Sequence, residues 1–96
     1  MAYTVIAVPK DTWTEIATES KIMTVYTSGY AKVYSYEGTV IPTEDPVDSD
    51  PTQPFAKISN NSTDDEDFVE KVYESNLGET LWIYSKGSNT KVILQN

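Results

Sequence analysis

Residues 21–37 have the sequence KIMTVYTSGYAKVYSYE, and this stretch decides the fold class. Residues 21–27 alternate between two faces, with Ile22, Thr24 and Tyr26 on one and Met23 and Val25 on the other, and residues 31–37 likewise place Tyr34 and Tyr36 opposite Ala31 and Val33. Such a period of two is typical of β-strands, because successive side chains of a strand point to opposite faces of the sheet. Ser28-Gly29-Tyr30 between the two runs is typical of a tight hairpin loop. The stretch therefore predicts two neighbouring antiparallel strands.

Shorter runs of the same kind lie on both sides of this stretch. Strand-like runs begin near residues 3, 13, 21 and 31, and another begins at 54. At the C-terminus, the run 81–85 and the run 90–94 flank Lys86-Gly87-Ser88-Asn89 and predict a hairpin. Strands at this spacing are typical of small sandwiches and barrels. The sequence thus predicts a mainly β fold, a small antiparallel β-sandwich or barrel of about six to eight short strands.

A proline-rich stretch interrupts the strand pattern. Residues 42–54 hold Pro42, Pro46, Pro51 and Pro54 among several acids. Each proline lacks the N–H that a strand ladder needs, so this stretch is predicted to be a loop. We therefore expect one domain, residues 1–96, with an acidic Pro-rich loop at 42–54 that is functional or mobile.

Residues 60–78 fit two interpretations. Thr63 and Glu66 match a capping box, acids cluster at 64–67, and Gly78 would end a helix. Residues 68–74 also alternate as a strand would. Because cap, dipole and stop signals agree, we favour one short helix near 64–75 and keep the strand as the alternative.

The missing residue types exclude most catalytic chemistry. The chain has no His, Cys or Arg, and therefore lacks the usual general base, the thiolate nucleophile and the bidentate anion ligand. We expect no enzyme, no cofactor and no metal site. The acidic runs 44–50 and 64–67 could offer Ca²⁺ weak oxygen ligands, but neither has the EF-hand glycine. With a net charge of -8, neither nucleic acid nor an anionic membrane is an expected partner.

Tyrosines and loop acids are the remaining candidates for function. Four tyrosines fall on the two strands of the opening stretch and on their loop, and four of the eight acids in the two acidic runs are candidates with them. Tyrosine suits a protein interface because it offers a large apolar area with a polar group; half-buried sheet packing and a carbohydrate-binding platform are the alternatives. The candidate interface residues are Tyr26, Tyr30, Tyr34, Tyr36, Asp48, Asp50, Asp64 and Asp65.

Three patterns in the chain occur together in one family. Tyr3–Pro9 precedes Thr12–Ile16, the run Val33–Glu37 precedes Ile41-Pro42-Thr43, and Leu81–Ser85 precedes the apolar run Val92–Leu94. In this combination the chain resembles small virion proteins of tailed bacteriophages. The likeness covers about two thirds of the chain, and the segment 60–79 departs from it.

The resemblance implies a setting and a partner. It implies a β-sandwich or barrel-like accessory protein that decorates or cements a phage capsid, or belongs to a fibre or tail. Its partner would be the major capsid protein or another virion protein, and it would be a homo-oligomer, with a trimer favoured. We expect synthesis in the host cytoplasm without a signal peptide, because Met1–Val8 has no basic segment. The alternative is a stand-alone protein-binding or carbohydrate-binding module.

Overall fold

The computed structural model describes residues 3–19, 21–27, 29–47, 50–61, 65–74 and 79–95, with the side chain of Lys21 excepted. This part of the chain contains eight β-strands and no helix. The strands are β1 (Tyr3–Val8), β2 (Thr14–Ala17), β3 (Lys21–Thr27), β4 (Ala31–Gly38), β5 (Ala56–Asn61), β6 (Asp67–Tyr73), β7 (Thr80–Lys86) and β8 (Thr90–Gln95). They form two four-stranded sheets, which confirms the predicted small β-sandwich.

The strands pair as in one long hairpin. β1 pairs with β8, β2 with β7, β3 with β6 and β4 with β5, all antiparallel. Two further antiparallel pairings, β3 with β8 and β4 with β7, roll this hairpin up. The results are sheet A, in the order β1-β8-β3-β6, and sheet B, in the order β2-β7-β4-β5. This strand order is that of a jelly roll, with the β4–β5 connection at the tip of the hairpin.

Both predicted tight hairpins are wrong. β3 and β4 belong to different sheets, and so do β7 and β8. The two connections each contain a glycine with positive φ, Gly29 at 71° and Gly87 at 98°, as turns often do. They nevertheless carry the chain from one sheet to the other. Alternation identifies a strand, but it does not identify the neighbour with which the strand pairs.

The predicted helix near 64–75 is also wrong, since β6 occupies Asp67–Tyr73. β6 pairs with β3 in an unbroken register that runs from Tyr73 to Asp67. Thr63, Asp64 and Gly78, on which the helix prediction depends, lie outside the described residues. An acid at a helix start contributes only about 0.3–1 kcal/mol. Pairing along seven residues bonds one side of the β6 backbone to β3 and also buries Tyr73, so it outweighs these local signals.

The core between the sheets is largely aliphatic. Side chains from both sheets contribute to it, and five of them are fully buried at 0% exposure: Val8, Val25, Val33, Ile83 and Val92. Burying a valine or isoleucine side chain stabilises the fold by about 1.5–3 kcal/mol. The inter-sheet contact is therefore the main source of stability, and it fixes the positions of both outer faces.

One end of the core is polar, and its groups are hydrogen-bonded. The Ser85 hydroxyl, which is fully buried, donates to the carbonyl of Ser88 at 2.6 Å and lies 2.8 Å from the Thr90 hydroxyl. The Asn61 amide donates to the Thr27 hydroxyl at 3.3 Å. Buried polar groups cost free energy unless they have such partners.

Tyr73 provides the first test of this packing. Its side chain is 3% exposed, and its hydroxyl has no hydrogen-bond partner among the described residues. A buried hydroxyl without a partner costs about 1–3 kcal/mol, so we predict that Tyr73→Phe leaves the free energy of unfolding unchanged or raises it by about 1 kcal/mol. Urea denaturation measures the difference. Ser85→Ala is the control and should lose about 1 kcal/mol. A clear loss of stability in Tyr73→Phe would contradict the prediction.

Candidate interaction surfaces

The structure separates the tyrosines that the sequence places together. Tyr34 and Tyr36 lie in β4 on the outer face of sheet B, whereas Tyr26 lies in β3 on the outer face of sheet A. Tyr34 is only 4% exposed, while Tyr30, between the two strands, is 62% exposed. The four tyrosines therefore do not form one surface.

The two candidate acids that the structure describes, Asp50 and Asp65, lie outside the strands. Asp48 and Asp64 lie outside the described residues. The Asp50 carboxylate accepts hydrogen bonds from the hydroxyl and the amide of Thr52, at 2.6 and 2.9 Å, and these two bonds lower the pKa of Asp50. Asp65 is exposed, and its carbonyl accepts a bond from an asparagine amide. Within the described residues, no three acidic side chains converge in a way that could hold a metal ion.

Six aromatic side chains cluster on the outer face of sheet B. The Trp13 ring is at the centre, with its centroid 4.9 Å from that of Phe55, 5.2 Å from Tyr84 and 6.4 Å from Tyr36. The tilted and edge-on arrangements are those that aromatic pairs prefer. The cluster consists of Trp13, Tyr34, Tyr36, Phe55, Trp82 and Tyr84. Both tryptophans thus lie here and not between the sheets.

The chain covers this aromatic cluster with the described parts of its own β4–β5 connection, residues 39–47 and 50–55, which we call the covering loop and which contribute Phe55 to the cluster. The Trp13 indole donates to the carbonyl of Glu44 at 3.0 Å, and the Lys86 ammonium donates to the carbonyl of Pro46 at 3.1 Å. Pro46 is fully buried. The Gln53 side chain ties the loop internally by donating to the Asp45 carbonyl at 2.9 Å. The acidic Pro-rich stretch therefore closes the outer face of sheet B.

Tyr84 links the covering loop to the β1–β2 connection. Its hydroxyl lies beside the carboxylates of Asp45, in the loop, and Asp11, in the connection. Burial, followed by the negative charges of these two carboxylates and the hydrogen bonds to them, raises the pKa of Tyr84 to about 12. A phenol has one proton to donate, so the hydroxyl can bond only one of the two carboxylates at a time. The neutral hydroxyl therefore lies between two acids where the covering loop meets the β1–β2 connection.

The outer face of sheet A has no comparable cover in the described part of the chain. Its large side chains remain open to solvent: Tyr3 is 63% exposed, Val5 61%, Phe68 65% and Val72 66%. The strand registers place all of these side chains on one face, Tyr3 and Val5 at one edge and Phe68 and Val72 at the other, with Gln95, Thr24, Glu70 and Lys91 also pointing outward between them. We call it the apolar face, and it comprises Tyr3, Val5, Ile22, Tyr26, Phe68, Val72 and Ile93.

The apolar face is close to electrically neutral. Only Glu70 and Lys91 carry charge at its outward positions in the paired strands, and their signs cancel. The Lys91 ammonium lies 5.3 Å from the centre of the Tyr26 ring, whose centroid is 5.8 Å from that of Phe68. At this corner lies a shallow depression of about 280 Å³, which Glu66 also lines.

The sequence contained a signal for the apolar face. In β1 and β3, large apolar residues point to both faces of the strand, because they occupy consecutive positions, as in Val5-Ile6 and Ile22-Met23. A strand that is apolar on both sides is expected to be covered on both sides. A sequence prediction based on tyrosines includes Tyr26, but it does not include other large side chains of this face, such as Val5, Val72, Ile22 and Phe68.

The Tyr84 arrangement predicts a pH dependence of stability. In the unfolded chain tyrosine loses its proton near pH 10, whereas folded Tyr84 keeps it to about pH 12. Its stabilising effect is therefore complete below pH 10 and is lost as the pH rises from 10 to 12. Urea denaturation between about pH 9 and pH 11 should show a steeper fall for the natural protein than for Tyr84→Phe. Tyr30→Phe is the control and should keep the natural slope; equal slopes for all three proteins would refute the prediction.

Comparisons with known proteins identify no relative. The chain was compared with protein-family models, with curated proteins and with solved structures, and none of them matches it. Within the described ranges, no helix is long and apolar enough to cross a membrane. Function is therefore inferred from the surfaces of the molecule itself.

Proposed function

We propose that this protein is a non-enzymatic structural protein of a bacteriophage particle, which decorates or cements the capsid by docking through the apolar face of sheet A. One observation carries the proposal. On a chain with a net charge of -8, one sheet face is apolar and nearly neutral, while the opposite outer face is closed by the covering loop.

The size of the apolar face supports a docking role. Tyr3 and Phe68 alone present roughly 200–300 Å² to solvent, because a whole aromatic side chain offers about 150–250 Å². Val5, Ile22 and Val72 enlarge this area to several hundred Å², and contiguous apolar patches of that size mark interaction sites on soluble proteins. Burial of such a patch stabilises a complex by about 25 cal/mol for each Å².

Charge at one end of the face indicates what kind of partner fits. Asp65, Glu66 and Asp67 are exposed where the chain enters β6, beside Phe68. A partner with an apolar contact area and lysine or arginine at the matching edge would complement this arrangement. On a capsid, many copies of such a partner are displayed on one particle.

The setting rests on the resemblance to tailed-phage virion proteins. Jelly rolls occur in viral capsid proteins and also in lectins, so the fold accommodates both a capsid role and sugar binding without deciding between them. The absence of His, Cys and Arg supports the non-enzymatic part of the proposal, because few catalytic roles could be filled.

The docking proposal predicts that the same substitution weakens binding on the apolar face but not on the covering loop. Val72, on the apolar face, is 66% exposed, and Val40, in the covering loop, is 68% exposed. Val72→Asp and Val40→Asp change the net charge equally. Burying a valine contributes about 1.5 kcal/mol, so Val72→Asp should weaken binding to particles that lack the protein by about tenfold or more. Val40→Asp should bind normally. Co-sedimentation over a range of concentrations measures both.

Two outcomes would contradict the docking proposal. One is equal binding of the two variants. The other is that purified particles of normal composition do not contain the protein.

Carbohydrate binding is a second candidate, which the corner of the apolar face favours. Tyr26, Asn89 and Glu66 help to line a depression of about 280 Å³, and the Phe68 ring lies with its centroid 5.8 Å from that of Tyr26. Aromatic faces beside polar side chains suit sugar rings. On a glycan array, Tyr26→Ala should abolish any signal while Tyr30→Ala retains it. A signal that both variants keep, or no signal from the natural protein, would rule out this candidate.

A further inference from the structure

The two sheets end in four edge strands, β1 and β6 in sheet A and β2 and β5 in sheet B. An edge strand presents unpaired backbone N–H and C=O groups that can pair with another chain. Soluble proteins therefore protect their edges with charges, prolines, bulges or short strands. The four edges of this protein differ in how well they are protected.

Three of the edges carry such protection. β2 has only four residues and a register irregularity between Glu15 and Ala17. β5 has an irregular register opposite Val33 and Tyr34. In β6, Lys71 stands opposite the buried Met23, so a charge occupies an inward-facing position at the edge. Each feature opposes the addition of another strand.

β1 has none of these features. Its sequence, YTVIAV, contains no charge and no proline, and it pairs with β8 in regular register along all six residues. In an antiparallel strand, alternate residues direct both backbone groups to the same side, so the residues of β1 that do not hydrogen-bond to β8 direct theirs away from sheet A. Tyr3 and Val5 add exposed apolar side chains beside this edge.

The occupant that fits this edge is a second copy of the chain. Two molecules with a net charge of -8 repel each other, and an uncharged strand is where they can approach with the least repulsion. A strand can pair with itself antiparallel about a two-fold axis, which is the commonest symmetry of oligomers. Because the opposite edge of sheet A carries Lys71, such pairing stops at two copies and does not extend into a fibre.

The register follows from the faces of the strand. Residues opposite each other in an antiparallel sheet point to the same side, so the pairing must match residues of equal parity. Centring the axis at Val5 places Tyr3 opposite Ala7 of the second copy, a large side chain beside a small one. We propose that the protein dimerises by antiparallel pairing of β1 with β1, with Val5 opposite Val5, to form one continuous eight-stranded sheet.

The dimer is independent of docking to a particle, and it differs from the trimer that the resemblance implies. Its interface is a strand edge, whereas docking uses the broad surface of sheet A. Val5 belongs to the apolar face as well as to this edge, so dimerisation is measured on the purified chain without particles, and docking is measured with Val72→Asp. The pairing would place two apolar faces side by side on one dimer.

Light scattering of the purified chain over a concentration series tests the proposal. We expect the mass to rise from one copy to two. Val5→Lys should raise the dissociation constant by about tenfold or more, because each dimer would contain two lysines directly opposite each other. Val72→Lys is the matched control, with the same change at similar exposure on the other edge strand of the same sheet, and should dimerise normally.

Charge reversal provides the decisive measurement. Val5→Glu alone should also stay monomeric, but an equimolar mixture of Val5→Lys and Val5→Glu should recover the dimer, since opposite charges then face each other. Recovery shows that both variants are folded and that Val5 lies at the axis. A mass of one copy for the natural protein at every concentration would overturn the proposal. So would a trimer, equal dimerisation of Val5→Lys and Val72→Lys, or a mixture that stays monomeric.

Discussion

A two-layer sandwich has four sheet faces, and its layers can bury only two of them against each other. In this protein both outer faces carry large apolar side chains, so the inter-sheet core leaves two surfaces that water solvates poorly. The chain covers one of them with the covering loop and leaves the other open in its described part. This asymmetry determines where the molecule is closed and where it can bind.

The composition of the covering loop suits its position. A segment that packs on side chains, and not alongside a strand, has few backbone groups near it to accept its hydrogen bonds. Proline has no N–H, so prolines reduce the number of donors that need an acceptor. Pro46 is fully buried, while its carbonyl still accepts a bond from Lys86. Glu44 and Asp45 of the loop remain exposed, and Asp45 lies beside the Tyr84 hydroxyl. A stretch that looks like a mobile linker in the sequence is thus part of the packing.

Local pattern predicted the strands well and their arrangement poorly. Alternation located the strands that begin at residues 3, 14, 21 and 31, because one side of each faces the core. It could not reveal that β7 and β8 lie in different sheets, since inward-facing residues alternate identically in both cases. The helix prediction failed because acids and a cap are short-range signals, whereas β6 is held by β3. The candidate tyrosines lie on different surfaces because two strands that are neighbours in the sequence can belong to different sheets.

The rolled hairpin also affects how the chain is made. β1 pairs with β8, so its backbone partner exists only after the last of the eight strands has been synthesised. Folds dominated by such distant pairings fold slowly, and strands without partners can associate with the wrong chain in the meantime. The uncharged strand β1 therefore has no strand partner until β8 has been synthesised. Neighbouring nascent chains on one messenger RNA present the same strand at the same time, so fast release and folding at low local concentration should favour the native protein over aggregates.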